Sequence, residues 1–354
     1  MNGFMLVDTL YLHMKYPYSD VFHRWYDLVV NVDSRKLKEG IVEGDFVIRN
    51  GACGYKVSLW NHDARIYLTD QTDDKCGDGQ GMGIWIQLGP KFILENKYDL
   101  QTAVIEFLEK AGIKNKYPIS ITRLDVAIDL FDMSMKDQNI NKWYSDWVGR
   151  SKVSAIFTNS RTGNLETIYI GSRRSPIYLR MYDKVAQSIN DGDYLYWRDV
   201  WGGFEGAVTR IEWEIKPKDG NFQEDIHDFF LFDGVTLREL VNYLIDWGRL
   251  CDENPNDSNR RRWPDSKLWS DLRELVRTLN EKVESSVTRY GKDFHDVSPK
   301  YLQFVVGTLS GAIARLNEND PSFIGFYSEL EKKGVSLDFI NQKAKKKAEI
   351  YKRL

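Results

Sequence analysis

Cysteine is scarce in this sequence: Cys53, Cys76 and Cys251 are scattered, odd in number and never in CxxC spacing. That excludes a disulfide framework and a cysteine zinc site, and it points to a reducing cytoplasm. Histidine is equally thin. His13, His23, His62, His227 and His295 stand apart from one another, so a metal would have to rely on carboxylates. No apolar run is long enough to span a membrane. The opening residues 1–17 carry the acidic Asp8 and no basic stretch, and are expected not to be a secretory signal. No P-loop is found. The acidic segment around Asp70, Asp73, Asp74 and Asp78 lacks the order of a calcium loop. Internal repeats and low-complexity blocks are not apparent. A marked net charge is also missing: the formal value is −3, which does not advertise a nucleic-acid partner. The charge is uneven, however, with residues 257–354 net basic and residues 1–256 net acidic.

What is present is ample apolar material, 42% hydrophobic against 29% charged, which excludes disorder over most of the chain. From residue 4 to about 216 the dominant period is two, the mark of strands. One helix interrupts at 99–112, with Asp99 as N-cap, Ala103, Val104, Phe107 and Leu108 as its stripe and Gly112 as its stop. A shorter one is expected over 138–150. After about 222 the period becomes helical: Leu237, Leu240, Val241, Leu244 and Ile245 form one stripe, and Leu268, Leu272, Leu275, Val276 and Leu279 another. Further helices are expected over 299–316, 320–334 and the Lys-rich end 336–354. Residues 252–263, with Arg260, Arg261 and Arg262, read as a polar linker. The expected fold is α+β: a largely antiparallel sheet domain over 1–220, then a helical domain over 221–354 with a recognition or interaction role.

Three strands concentrate charge. Along 121–130 one face carries Arg123, Asp125 and Asp129, and the other is aliphatic. Along 209–216 Arg210, Glu212, Glu214 and Lys216 share a face, and along 176–184 Tyr178, Arg180, Tyr182 and Lys184 do so. An antiparallel sheet with one wet face gives such alternation routinely. Acids repeated at a spacing of two on two strands are less ordinary, because like charges on adjacent strands repel. A hard divalent cation, Mg²⁺ or Mn²⁺, would relieve that repulsion.

These strands also carry a resemblance. The turn Gly171-Ser172-Arg173-Arg174-Ser175 precedes Arg180-Met181-Tyr182-Asp183-Lys184, with Arg123, Asp125 and Asp129 before it and Arg210, Glu212 and Lys216 after it. This ordered set resembles the Rep-trans family, the replication-initiation factors of small rolling-circle plasmids and phages, with related conjugative relaxases. The resemblance covers about residues 120–216. It implies a nickase of the rolling-circle initiator fold, without a paired-histidine metal motif, that links a tyrosine to the 5′-phosphate of cut DNA. On that reading Tyr182 is the nucleophile and Tyr178, on the same face, its rival. Arg180 and Lys184 would lower the phenol pKa. Asp125, Glu212 and Glu214, with Asp129 next, would hold the metal. Arg173 and Arg174 could grip DNA phosphates, while Arg123 and Arg210 could be phosphate clamps or charge partners of the acids.

The implied partners are origin DNA with its single-stranded nick site and a host helicase; no membrane is implied, and a homodimer is compatible with the sequence. A conjugative relaxase would share the chemistry. A hydrolytic nuclease using the acids alone, or a DNA-binding regulator without activity, are readings of other classes.

Overall fold

The structure is a computed structural model, and it describes residues 2–15, 20–69, 82–114, 117–217, 222 and 224–284. The helices expected beyond 285 and the acidic segment at 70–81 lie outside these residues. Contacts group Met1–Val283 into one compact unit and Glu284–Leu354 into a second.

The first unit is built on one antiparallel sheet of eleven strands. In chain order the strands are β1 (Gly3–Met14), β2 (Ile41–Glu43), β3 (Phe46–Asn50), β4 (Val57–Asn61), β5 (Ala64–Leu68), β6 (Ile84–Leu88) and β7 (Ile119–Phe131). They continue with β9 (Val153–Thr158), β10 (Leu165–Gly171), β11 (Ile177–Asp183) and β12 (Val208–Ile215), while β8 (Trp147–Gly149) and β13 (Gly248–Leu250) form a separate pair. The spatial order is β2-β3-β4-β5-β6-β1-β7-β12-β11-β10-β9. The two longest strands, β1 and β7, therefore lie side by side at the middle.

Among the described residues the helices are α1 (Asp20–Tyr26), α2 (Ser34–Glu39), α3 (Pro90–Glu95), α4 (Leu100–Lys110), α5 (Ile140–Asp146), α6 (Lys184–Asp191), α7 (Tyr194–Val200), α8 (Glu224–His227), α9 (Gly234–Trp247) and α10 (Lys267–Glu284). The fold is α+β, as the sequence indicates. The α4 signals act as expected: Asp99 accepts from the backbone of Thr102, and Gly112 leaves the helix at φ +81. Over 138–150 the helix is shorter than its pattern, because Trp147–Gly149 pairs with β13 instead.

The aliphatic face of β7, with Leu124, Val126, Ile128 and Leu130 fully buried, meets side chains of α4, α5, α9 and α10 in one core. Each such side chain contributes about 1.5–3 kcal/mol relative to exposure. Leu240 and Leu244 of α9 and Trp269 and Leu272 of α10 belong to this core. The boundary expected at 220 thus falls inside the first compact unit. Residues 252–263 are also pinned rather than strung out: Cys251 bridges to Asp265, and Arg249 binds Asp265 and the carbonyls of Arg261 and Trp263.

The opposite face of the sheet is polar. Over part of it, α6 and α7 form a cover, in which Trp197 and Trp201 pack on Leu6, Ala127 and Val208. The rest of that face holds the charged residues.

Candidate active site

Register decides which charges meet. Glu214 stands opposite Asp125, Glu212 opposite Ala127 and Arg210 opposite Asp129, while on the other side of β12 Arg180 faces Glu212 and Tyr182 faces Arg210. Directly paired residues share a face, so all of these side chains rise from the same side of three adjacent strands.

They divide into two clusters. The first is a chain of contacts centred on Asp125. The Tyr182 hydroxyl donates to Glu212 Oε2 at 2.8 Å. Arg180 donates to Glu212 Oε1 and, at 3.2 Å, to Asp125 Oδ2. Arg123 donates to Asp125 Oδ1 at 2.8 Å and reaches Glu214 Oε2 at 3.1 Å. Lys216 closes the chain on Glu214 Oε1 at 2.6 Å. The three acids are nearly inaccessible, yet Arg123 and Arg180 keep 22% of their side-chain surface open. Solvent therefore reaches this cluster past the guanidinium groups.

Burial, with the charge of Glu212 added, pushes the Asp125 carboxyl up to about 7 against the pull of Arg123 and Arg180. Glu214 is held below the usual range: the hydrogen bond from Lys216 and the charge of Arg123 outweigh its burial. The Tyr182 phenol is raised well above its ordinary value by burial and then by the Glu212 charge. This departs from the expected lowering by Arg180 and Lys184. The physical reason is that Arg180 is occupied by Glu212 and Asp125, and Lys184 has left the strand to become the first residue of α6, after the N-cap Asp183. What adjoins the phenol is an acceptor for its proton.

The second cluster is more closed, with Asp8 alone keeping 16% of its side-chain surface open. Arg210 is fully buried, binding Asp129 through Nε at 2.6 Å and Nη2 at 2.8 Å, and Asp8 through Nη1. Trp201 donates to Asp129 Oδ2 at 2.8 Å, and Trp197 lies against Arg210 at 4.4 Å and Lys184 at 4.0 Å. Burial and the Arg210 charge lower Lys184 to about 8. Arg210 is accordingly a charge partner here rather than a phosphate clamp, and Asp129 is not brought to the other three acids. Sequence reasoning missed Asp8, Trp197 and Trp201. Asp8 reaches Arg210 from a β-bulge in β1, where the pairing with β7 skips from Val7 to Thr9, and no period-two pattern signals that.

Tyr178 is buried, stacked on Tyr169 at 5.6 Å, and raised chiefly by burial; it sits opposite Glu214 rather than beside Glu212. Arg173 and Arg174 are exposed in the turn between β10 and β11. Gln87 accepts from Tyr67 at 3.3 Å.

For a metal, the donor chemistry is apt: Asp125, Glu212 and Glu214 offer hard oxygens on adjacent strands. Among the described residues no three acid, histidine or cysteine side chains close on one point, since the oxygens meet in pairs on Arg180 and Arg123.

Among the described residues no helix is long and apolar enough to cross a membrane. The family model described as replication initiation factor matches residues 119–299. A solved structure, the rolling circle replication initiator protein from Geobacillus stearothermophilus, is 19% identical, with a TM-score of 0.49, over 78% of this chain and 97% of that one. No curated protein matches. The family match takes in half of the sequence and every member of the Asp125 cluster, and the chain belongs to the replication initiation factor family.

Proposed function

We propose that the protein starts rolling-circle replication by nicking one DNA strand with Tyr182 and holding the cut end covalently. The observation that supports this reading best is the hydrogen bond from the Tyr182 hydroxyl to Glu212, a carboxylate that could accept the proton of a phenol otherwise unreactive at neutral pH. As the phenolic oxygen bonds to phosphorus, its proton passes to Glu212. The bond from phosphorus to the 3′ oxygen breaks, and that oxygen leaves as a hydroxyl after taking up a proton. The product is a 5′-phosphotyrosine and a free 3′-hydroxyl able to prime synthesis, and reversal of the same step reseals the strand.

Arg180 and Arg123, the open groups of the cluster, orient the scissile phosphate, and their charge offsets that of the transition state. Mg²⁺ or Mn²⁺ held by Asp125, Glu212 and Glu214 would supply Lewis-acid stabilisation of that phosphate. Arg173 and Arg174 bind backbone phosphates beside the site. Strand separation falls to a host helicase.

Incubation with supercoiled origin DNA and Mn²⁺ should yield a protein–DNA adduct that survives SDS and maps to Tyr182 by peptide mass. Tyr182→Phe should yield none, and Tyr178→Phe should keep it. Free 5′-phosphate ends formed equally by wild type and Tyr182→Phe would replace this reading with a hydrolytic nuclease.

A further inference from the structure

The first half of the sheet repeats the arrangement of the second. After β1 come helices and then strands that meander back from the edge until β6 pairs with β1; after β7 the same path ends with β12 on β7. Register extends the likeness to residues. Arg65 and Tyr67 on β5 face Gln87 and Trp85 on β6, as Arg180 and Tyr182 on β11 face Glu212 and Arg210 on β12. Tyr67 donates diagonally to Gln87 as Tyr182 does to Glu212. The chemistry is nonetheless stripped out. An amide stands where the base would be, Trp85 replaces Arg210, and Tyr11 occupies the place of Ala127.

Rings and guanidinium groups fill this half instead. The guanidinium carbons of Arg49 and Arg65 are 4.5 and 3.9 Å from the ring centre of Trp60. Arg49 Nε is buried without a hydrogen-bond partner among the described residues. Trp85 is in contact with Tyr67 at 4.8 Å, Tyr11 at 5.4 Å and Tyr55 at 6.0 Å, and Arg123 sits over Tyr11 at 5.0 Å. Trp60, Arg65, Gln87, Tyr11 and Arg123 form one cross-strand row over β4, β5, β6, β1 and β7, all part-exposed on the face of the acid cluster. At the usual strand spacing the row is about 19 Å long. It ends at Arg123, which holds Asp125.

We infer that this row is a binding site for single-stranded DNA, in which unpaired bases next to the nick stack on Trp60 and Trp85 and their phosphates meet Arg49 and Arg65. The inference rests on the DNA reading above. Flat rings beside guanidinium groups suit unstacked bases and a phosphate backbone, whereas duplex DNA keeps its base faces hidden. The half that cannot cut thus holds the strand for the half that can.

The test is fluorescence anisotropy of labelled oligo-dT of about 16 nucleotides, set against duplex of equal length at one salt concentration. Wild type should favour the single strand. Trp60→Ala and Trp85→Ala should each weaken binding about tenfold, and Trp85→Phe, which keeps a stacking face, by no more than about threefold. Arg65→Ala should lower the salt slope by about one. Equal affinity for single strand and duplex, unchanged affinity in both alanine variants, or a loss with phenylalanine as great as with alanine would each overturn the inference. The SDS-stable adduct reports on the nicking reading separately, so the two can fail independently.

Discussion

The two charge clusters stand on the same strands, a few residues apart, and use the same residue types, yet they differ in what covers them. Around Asp125 the lids are two arginines that remain partly open. Around Asp129 the lids are the indoles of Trp197 and Trp201. A carboxylate reached through a movable guanidinium group can exchange partners, whereas one closed in by an indole N–H and a buried arginine can only support the fold. Cover, rather than residue identity, distinguishes the two clusters.

That contrast can be broken by substitution. Glu212→Gln, assayed at a temperature where the variant is folded, should slow adduct formation about 10²–10⁴-fold, the usual value of a positioned base. A variant that nicks at the wild-type rate would remove Glu212 from the mechanism. Arg210→Met should cost about 3–5 kcal/mol of stability in urea unfolding, because Asp129 and Asp8 lose their cation in a buried site; a loss under 1 kcal/mol would mean that this cluster is not closed. Trp201→Phe removes one donor from Asp129 and should cost about 1–3 kcal/mol by the same measurement.

The smallest effect is one of slope. In metal-free buffer the folded-state pKa of Asp125, about 7, lies above its unfolded value of 3.8. The folded state then binds the extra proton, so the stabilising contribution is full below pH 3.8 and is lost as pH rises through about 7. Asp125→Asn lacks that proton. Its stability relative to wild type should therefore climb between those pH values and level off above them; a pH-independent difference would place Asp125 in a more solvated setting than its burial indicates.

Much of this was legible in the sequence. The alternation of Arg123, Asp125 and Asp129 against Leu124, Val126 and Ile128 located β7 and its charged face, though not that Asp125 and Asp129 on it are buried, and the stripes of α9 and α10 were plain. Asp99 and Gly112 bracketed α4. Partner choice was not legible, because it depends on cross-strand register: nothing local says that Arg210 takes Asp129 while Arg180 takes Glu212. The helices α6 and α7 were hidden within a region read as strands, being short and, in α7, rich in aromatic residues that also suit strands. Asp183 three residues before Ala186 was the available signal for the turn into helix at Lys184. The likeness of Arg65-Ile66-Tyr67 to Arg180-Met181-Tyr182 is too brief to stand out until the strands are paired.

Tyr182 and Glu212 are seated on neighbouring strands within an unbroken ladder of backbone hydrogen bonds, and neither belongs to a loop. The ladder fixes the backbone anchor points of the phenol and the carboxylate relative to each other. On the proposed reaction, cutting and joining would share this one pair of anchors, and it is the polynucleotide whose ends would be exchanged over them.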